Sequence, residues 1–410
     1  MRNCIVAQSG GPTAVINSSV IGVFYENLKV KYYDNVYSGL NGIEGILKGD
    51  IINLSELEYD KIDTLKYTPA SALGSCRYKI DDYKENDEDY NNLFKILNSL
   101  EIQTFFYVGG NDSMDTVSKL STYAQKCGID INFIGIPKTI DNDLCLTDHT
   151  PGYGSAAKFI ATTALETYLD SSVYTNNGIF ILETMGRDTG WLAASAALAI
   201  IDDRMIADFI YLPEVAFDID NFLSDVKERF IANNQVYIVV SEGIKDKNGN
   251  FISETKIANN HDNFGHNQLG GVGNVLKELI INAGITNRVK TLELGVMQRC
   301  AMHCASLTDL EEAHTVGRSA VSFSISGATG KMVGIKRVNE TPYLYDTELV
   351  DVKQVANKIK YVPTDWINTE GNHVNEKAIN YIRPLIQGIP NLDTKNGLPK
   401  YVMVEKDLVS

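Results

Sequence analysis

Five short runs of apolar, mostly β-branched or aromatic residues recur along the chain, each ending in a glycine or polar turn: CIVAQSGG (4–11), QTFFYVGGND (103–112), INFIGIPKTID (131–141), IFILETMGR (179–187) and VYIVVSEG (236–243). Continuous runs of this length fit strands buried on both faces. Between them lie amphipathic segments, among them 156–169 and 192–201, with the spacing of helices that cover such strands. The pattern predicts an α/β fold of two Rossmann-like, three-layer domains with mostly parallel sheets. In such sheets ligands collect beyond the carboxyl ends of the strands. Here those ends carry Gly10-Gly11, Gly109 to Asp112, Lys138 to Asp143, Met185 to Arg187 and Glu242-Gly243. The apolar stretch 191–201 (WLAASAALAII) is too short to span a bilayer and reads as a buried helix. The acidic patch 80–92 reads as an exposed segment or helix start, and the less regular chain from Val338 onward as a C-terminal extension.

Composition narrows the class of partner. At 410 residues, 44% of them hydrophobic, the chain can build two or three domains with substantial cores. The formal charge of -15 argues against a nucleic-acid partner, so an anionic substrate needs a local cationic pocket. Six scattered cysteines favour free thiols in a reducing compartment. Cys300, His303 and Cys304 have helical spacing but no fourth soft ligand nearby, which favours core packing over a metal site. The N-terminal MRNCIVAQSGG reads as a strand entering a turn, not as a signal peptide. A cytoplasmic protein with no membrane partner is expected.

Two glycine motifs carry less than they suggest. GYGSAAK (152–158) matches a dinucleotide fingerprint in letters, but it follows a polar loop where a strand is required, and reads as a tight loop with a helix start. GATGK (327–331) is too short for a nucleotide P-loop. PKTIDND (137–143) is more informative, since it places a lysine, a hydroxyl and two carboxylates directly after a strand. Asp and Asn also occur in turns for backbone reasons alone. Its company shifts the balance: a second acidic turn at Asn111-Asp112, and the arginines Arg77, Arg187 and Arg299 after small or polar residues. Phosphoryl transfer needs that set, namely cations for the phosphoryl oxygens, oxygen ligands for Mg²⁺ and a base aimed at the acceptor hydroxyl.

With these residues gathered, the chain resembles the phosphofructokinase family along nearly its full length, and most closely the branch that uses pyrophosphate in place of ATP. The supporting strings are SGGPTAVIN (9–17), GSCRYK (74–79), GGNDS (109–113), PKTIDND (137–143), ETMGRDTGW (183–191), VVSEG (239–243), FGHNQLGG (264–271) and MQRCAMHCAS (297–306). The resemblance implies the phosphofructokinase fold and reversible phosphoryl transfer from pyrophosphate to the 1-hydroxyl of fructose 6-phosphate, with Mg²⁺ as cofactor. It implies that Gly11, Gly110, Arg77 and Lys138 bind the diphosphate, and that Asn111 and Asp143 are associated with the metal. Asp141 would be the general base. Thr139, Ile140 and Asp141 would share the substrate loop, Met185, Gly186 and Arg187 would line the sugar-phosphate site, Glu242 would bind sugar hydroxyls and Arg299 would contact the 6-phosphate. Asp112 stands where ATP-using relatives have a glycine that admits the α-phosphate. A carboxylate there fills the space and repels that phosphate, while Lys138 adds the complementary cation for pyrophosphate.

The chain departs from the family pattern on the acceptor side. Val296, within LGVMQR, stands where ATP-using relatives have a histidine, and Gly178 lies near the position of an arginine lent by a neighbouring subunit. Arg288 or Lys290 from a partner chain is the expected replacement. Fructose 6-phosphate is the default acceptor, and sedoheptulose 7-phosphate differs from it by one carbinol carbon. Asp112 and Lys138 weigh against an ATP-dependent enzyme. The presence of Asp141, Asp143, Arg77 and Arg187 weighs against a catalytically silent regulatory subunit. The expected domains are 1–146 with about 298–335 for the phosphoryl donor, and about 147–297 with 336–410 for the sugar phosphate, in a homodimer or larger homo-oligomer.

Overall fold

The computed structural model describes residues 2–255, 271–404 and 408. The string FGHNQLGG therefore lies outside the described residues except for Gly271. In chain order the strands begin with β1 (Asn3–Gln8), β2 (Asn35–Gly39), β3 (Ile51–Asn53), β4 (Ile102–Gly109), β5 (Asn132–Pro137) and β6 (Gly178–Thr184). They continue with β7 (Ile200–Ile201), β8 (Arg204–Met205), β9 (Phe209–Tyr211), β10 (Gln235–Ser241), β11 (Val289–Glu293), β12 (Lys331–Asn339) and β13 (Leu344–Asp351). The helices that matter for the site are α1 (Ile16–Val30), α2 (Asn111–Cys127), α3 (Tyr153–Ser171), α4 (Val272–Asn282), α5 (Leu307–Ile325) and α6 (Val352–Val355).

The chain divides into two compact units. The first comprises Met1–Ser155, Arg299–Ile359 and Gly388–Ser410. Its seven-stranded sheet has the order β13-β12-β5-β4-β1-β2-β3, with antiparallel strands at the two edges and parallel pairing between them. Strand side chains alternate between two cores, as the pleat requires. Ile5, Ala7, Phe105, Tyr107 and Phe133 join one core with Met114, Val117 and Leu120 of α2. Cys4, Val6, Phe106, Val108, Ile134 and Ile136 join the other with Val20 and Val23 of α1 and Val316 and Ala320 of α5. α1 and α5 meet backbone to backbone: a Cβ at Gly22 would lie 2.2 Å from the His314 carbonyl oxygen, and one at Gly317 would lie 2.0 Å from that of Ser19. Both positions accept only glycine without displacing a helix.

The second unit comprises Ala156–Gln298 and Lys360–Gln387. Its four strands, in the order β11-β6-β10-β9, are all parallel. Ile179, Ile181, Val236, Ile238 and Val240 form its core with Leu276 and Ile280 of α4. Among the described residues, no helix is long and apolar enough to cross a membrane.

Three expectations change. The stretch 191–201 is not one helix: it runs as a helical turn at Trp191–Ala194, a 3-10 turn at Ser195–Leu198 and then strand β7. Pairing of β7 with β8, extended by the Ile206 N–H bond to the Ala199 carbonyl, captures the chain before the alanines can propagate a helix. The expected domain break at 335/336 falls inside β12, which with β13 continues the first sheet. Residues 388–404 likewise return to the first unit, where Val402 and Val404 pack on its core. At the earlier border, residues 147–155 stay with the first unit, because Thr139 bridges Gly152 and Asp309 of α5 accepts from Gly152 and Ser155.

Candidate active site

Three strand ends of the first unit converge on one lysine. Beyond β1, Gly10 takes φ +76, and its N–H donates to the Cys76 carbonyl while its own carbonyl accepts from Ser75 Oγ at 2.6 Å. These bonds tie the GSCR loop, and with it the exposed Arg77, to the first glycine turn. Beyond β4, the chain turns at Gly110 into α2. Beyond β5, the Lys138 N–H donates to the Gly109 carbonyl, and its ammonium donates to the Gly11 carbonyl at 2.6 Å. Lys138 is only 2% exposed. A Cβ at Gly10 would stand 3.3 Å from the Lys138 ammonium, and one at Gly11 would stand 3.3 Å from Arg299 Nη1. Side chains at either glycine would crowd the cationic groups, so the bare backbone keeps them reachable.

The electrostatics follow from that crowding. Burial pushes the Lys138 ammonium down to about 8; the Asp141 and Asp143 carboxylates favour its charge, and Arg299 and Arg77 oppose it. Three cations facing two carboxylates make a pocket that gains from an added anion. Asp141 lies in a loop held from behind. Its N–H donates to Thr139 Oγ1 at 3.1 Å, and the Thr139 N–H donates to the Pro151 carbonyl. Thr150 donates through Oγ1 to the Thr139 carbonyl at 2.9 Å and through N–H to Asn142 Oδ1 at 3.1 Å. Ile140 is 6% exposed, so its side chain anchors this loop.

Behind the loop stands a buried ionic group that sequence reasoning missed. His149 bonds Asp148 Oδ1 at 2.8 Å through one ring nitrogen and Glu312 Oε2 at 2.6 Å through the other. Burial lowers the affinity of this imidazole for a proton, but Glu312 and Asp148 outweigh it and raise the ring to about 9. Asp148 also pairs with Arg337 at 3.0 Å, and Tyr343 donates to Glu312. One turn away on α5, Asp309 accepts from the N–H groups of Gly152 and Ser155 at 2.8 and 2.9 Å. Burial lifts Asp309 to about 6 although these donors oppose the rise. The start of α3, which carries GYGSAAK, is thus occupied by a carboxylate of this chain. The only sequence signal for these residues was their type, since Asp309 and Glu312 share a helix with many other polar side chains.

The sugar-phosphate candidates gather at the carboxyl end of the second sheet. The Ser241 hydroxyl donates to the Gly186 carbonyl, the Glu242 N–H donates to the Thr184 carbonyl at 2.9 Å, and the Met185 N–H donates to Gln298 Oε1 at 3.1 Å. Gly186 takes φ +127. A Cβ at Gly243 would lie 1.9 Å from the Arg187 carbonyl oxygen, so the two turns touch through backbone. Met185, Gly186, Arg187, Glu242 and Val296 therefore share one edge, with Val296 exposed. Gly178 takes φ +83, and a Cβ there would meet the Arg288 carbonyl oxygen at 2.3 Å, which leaves no room for an arginine. Within one chain Arg288 lies over the Tyr174 ring and Lys290 pairs with Asp170 at 3.6 Å.

Asn111 is engaged within the chain: its Oδ1 accepts from the Asn357 N–H and its Nδ2 donates to the Lys358 carbonyl, both at 2.5 Å. Arg299 lies beside Gly11, and its charge opposes that of the Lys138 ammonium. Among the described residues there is no cluster of three or more His, Cys, Asp or Glu side chains able to hold a metal. Mg²⁺ characteristically takes one or two carboxylates and completes its shell with phosphate oxygens and water. The Asp141 and Asp143 carboxylates beside a phosphate-type pocket fit that demand.

Mostly parallel α/β sheets whose carboxyl ends carry glycine turns, a buried lysine and paired carboxylates define a protein of the doubly wound α/β class. The phosphofructokinase family model matches residues 3–323, and the chain belongs to that family. It is 40% identical to the pyrophosphate–fructose 6-phosphate 1-phosphotransferase of Halomonas elongata over 414 aligned positions, covering 100% of this chain and 97% of that protein. It is 39% identical to the protein of the same name from Methylococcus capsulatus, covering 98% and 95%. The crystal structure of the pyrophosphate-dependent phosphofructokinase of Nitrosospira multiformis superposes with a TM-score of 0.89 at 36% identity, covering 100% of this chain and 98% of that one. Enzymes of this family generally use Mg²⁺ for phosphoryl transfer.

Proposed function

We propose that the protein transfers a phosphoryl group reversibly between pyrophosphate and the 1-hydroxyl of fructose 6-phosphate, giving fructose 1,6-bisphosphate and phosphate. The observation that carries this reading is the buried Lys138 ammonium at the Gly11 carbonyl, flanked by Asp141, Asp143, Arg77 and Arg299. Relatives covering the whole chain bear the name of this activity.

In the forward direction the diphosphate would lie against the turns at Gly11 and Gly110, with Lys138 and Arg77 neutralising its oxygens. Asp141 would accept the proton of the sugar 1-hydroxyl. The alkoxide oxygen then bonds to the terminal phosphorus, the bridging P–O bond breaks and phosphate departs with that electron pair. Arg299, from its place beside Gly11, would stabilise charge on the moving group. Asp143 would hold Mg²⁺, which supplies charge neutralisation on the phosphoryl oxygens when bound. In this assignment the first unit handles the donor, and Met185, Gly186, Arg187 and Glu242 of the second hold the sugar phosphate.

Reversal is the sharpest test of the donor. Fructose 1,6-bisphosphate, phosphate and Mg²⁺ incubated with the protein should yield pyrophosphate and fructose 6-phosphate, seen by phosphorus NMR. No pyrophosphate under conditions where the protein binds both reactants would contradict the proposal.

A further inference from the structure

We propose that Asn111 is a positioning residue for donor choice, whose side-chain amide straps residues 357–358 onto the first turn of α2 and thereby fixes the neighbouring Asp112. The proposal rests on the functional reading above. Asn111 bridges two consecutive backbone groups of a segment 246 residues away, accepting from the Asn357 N–H and donating to the Lys358 carbonyl. A carboxamide, with an acceptor and a donor on the same carbon, can do both. An aspartate would face the Lys358 carbonyl with a second acceptor and repel it, so the amide is the chemistry this contact demands.

The strap has its own supports. Asn357 takes φ +60, a left-handed conformation that asparagine tolerates better than most side chains. Its Nδ2 donates to Asp115 Oδ1 at 3.1 Å, one turn along α2, and Asp115 pairs with Lys119 at 2.8 Å. Upstream, Val352 and Val355 of α6 are fully buried in the same core as Met114 and Val117 of α2. The strap is therefore fixed at both ends, in the core and at the turn. Asp112 itself is exposed at the first turn of α2, and what sets its position is the backbone on which Asn111 is clamped. A strap released from Asn111 leaves Asp112 on a loosened helix end, where its carboxylate no longer discriminates against a longer donor as strictly.

The test uses the full chain with Asn111→Asp and Asn357→Gly beside the wild type. The second variant keeps the positive φ and the backbone N–H but loses the bond to Asp115. Initial rates with pyrophosphate and with ATP, at varied donor and at varied fructose 6-phosphate, give the donor ratio and both KM values. The expected result for Asn111→Asp is a KM for pyrophosphate raised about tenfold and a pyrophosphate-to-ATP ratio of kcat/KM lowered by about as much, in line with the loss of one or two hydrogen bonds. The KM for fructose 6-phosphate should stay within about twofold of the wild type, and Asn357→Gly should shift the ratio the same way by a smaller factor. A purely structural role would lower stability and rates with both donors alike and leave the ratio unmoved. An unchanged ratio in both variants, with an active wild type, overturns this inference alone. A wild type inactive with pyrophosphate overturns the functional reading and this inference with it. If Asn111→Asp does not fold, the ratio in Asn357→Gly decides.

Discussion

Lys138, with its ammonium 2.6 Å from the Gly11 carbonyl, combines burial with neighbouring charges of both signs. Burial outweighs Asp141 and Asp143 and pushes its ammonium down to about 8, and a neutral amine would no longer attract a phosphate. The value of kcat/KM for pyrophosphate should therefore fall as pH rises through about 8. The limb in kcat should lie at higher pH, since bound anion favours the charged lysine. Lys138→Met should abolish the limb; a limb that persists would assign it elsewhere. Asp141→Asn should lower kcat by about 10²–10⁴-fold with the KM for fructose 6-phosphate little changed, as expected for a lost general base. Near-normal turnover would remove Asp141 from that role. The sequence made both residues legible, since PKTIDND places them directly behind a strand. It did not reveal the use made of Asn111, whose partners Asn357 and Lys358 lie in a segment with no motif of its own.

The reach of α5 into the substrate loop is a matter of elements. Asp309 and Glu312, one turn apart, bond to Gly152, Ser155 and His149, and Thr150 between them holds Thr139. The raised proton affinity of His149 makes this a pH-linked contribution to stability: it is fully present below the ordinary histidine value near 6.5 and is lost as pH rises through about 9. His149→Ala should cost about 3–5 kcal/mol at pH 7, by leaving buried carboxylates without their cation. Urea unfolding at pH 7 and at pH 9.5 should show the difference between wild type and variant shrink at the higher pH. A difference independent of pH would mean that the imidazole acts by packing alone. The pattern of apolar runs predicted the five inner strands and their turn-bearing ends. It missed the break-up of residues 191–201 and the β12–β13 hairpin, because both depend on pairing partners that local propensity does not encode.

For the whole molecule, two parallel α/β units hold two chemically different sets of residues. The first has the cations and carboxylates around Lys138, and the second has Arg187 and Glu242 at the end of its own sheet. Membership of the phosphofructokinase family accounts for the common layout. The central claim is that this chain draws its phosphoryl group from pyrophosphate. The most direct measurement is the initial rate of fructose 1,6-bisphosphate formation with Mg²⁺ and fructose 6-phosphate, with pyrophosphate and ATP compared as donors in the wild type and in Asp112→Gly. The account predicts that kcat/KM for pyrophosphate exceeds that for ATP by about 10²-fold or more, since a misplaced like charge costs several kcal/mol, and that Asp112→Gly narrows the gap. Equal or better use of ATP by the wild type would contradict it.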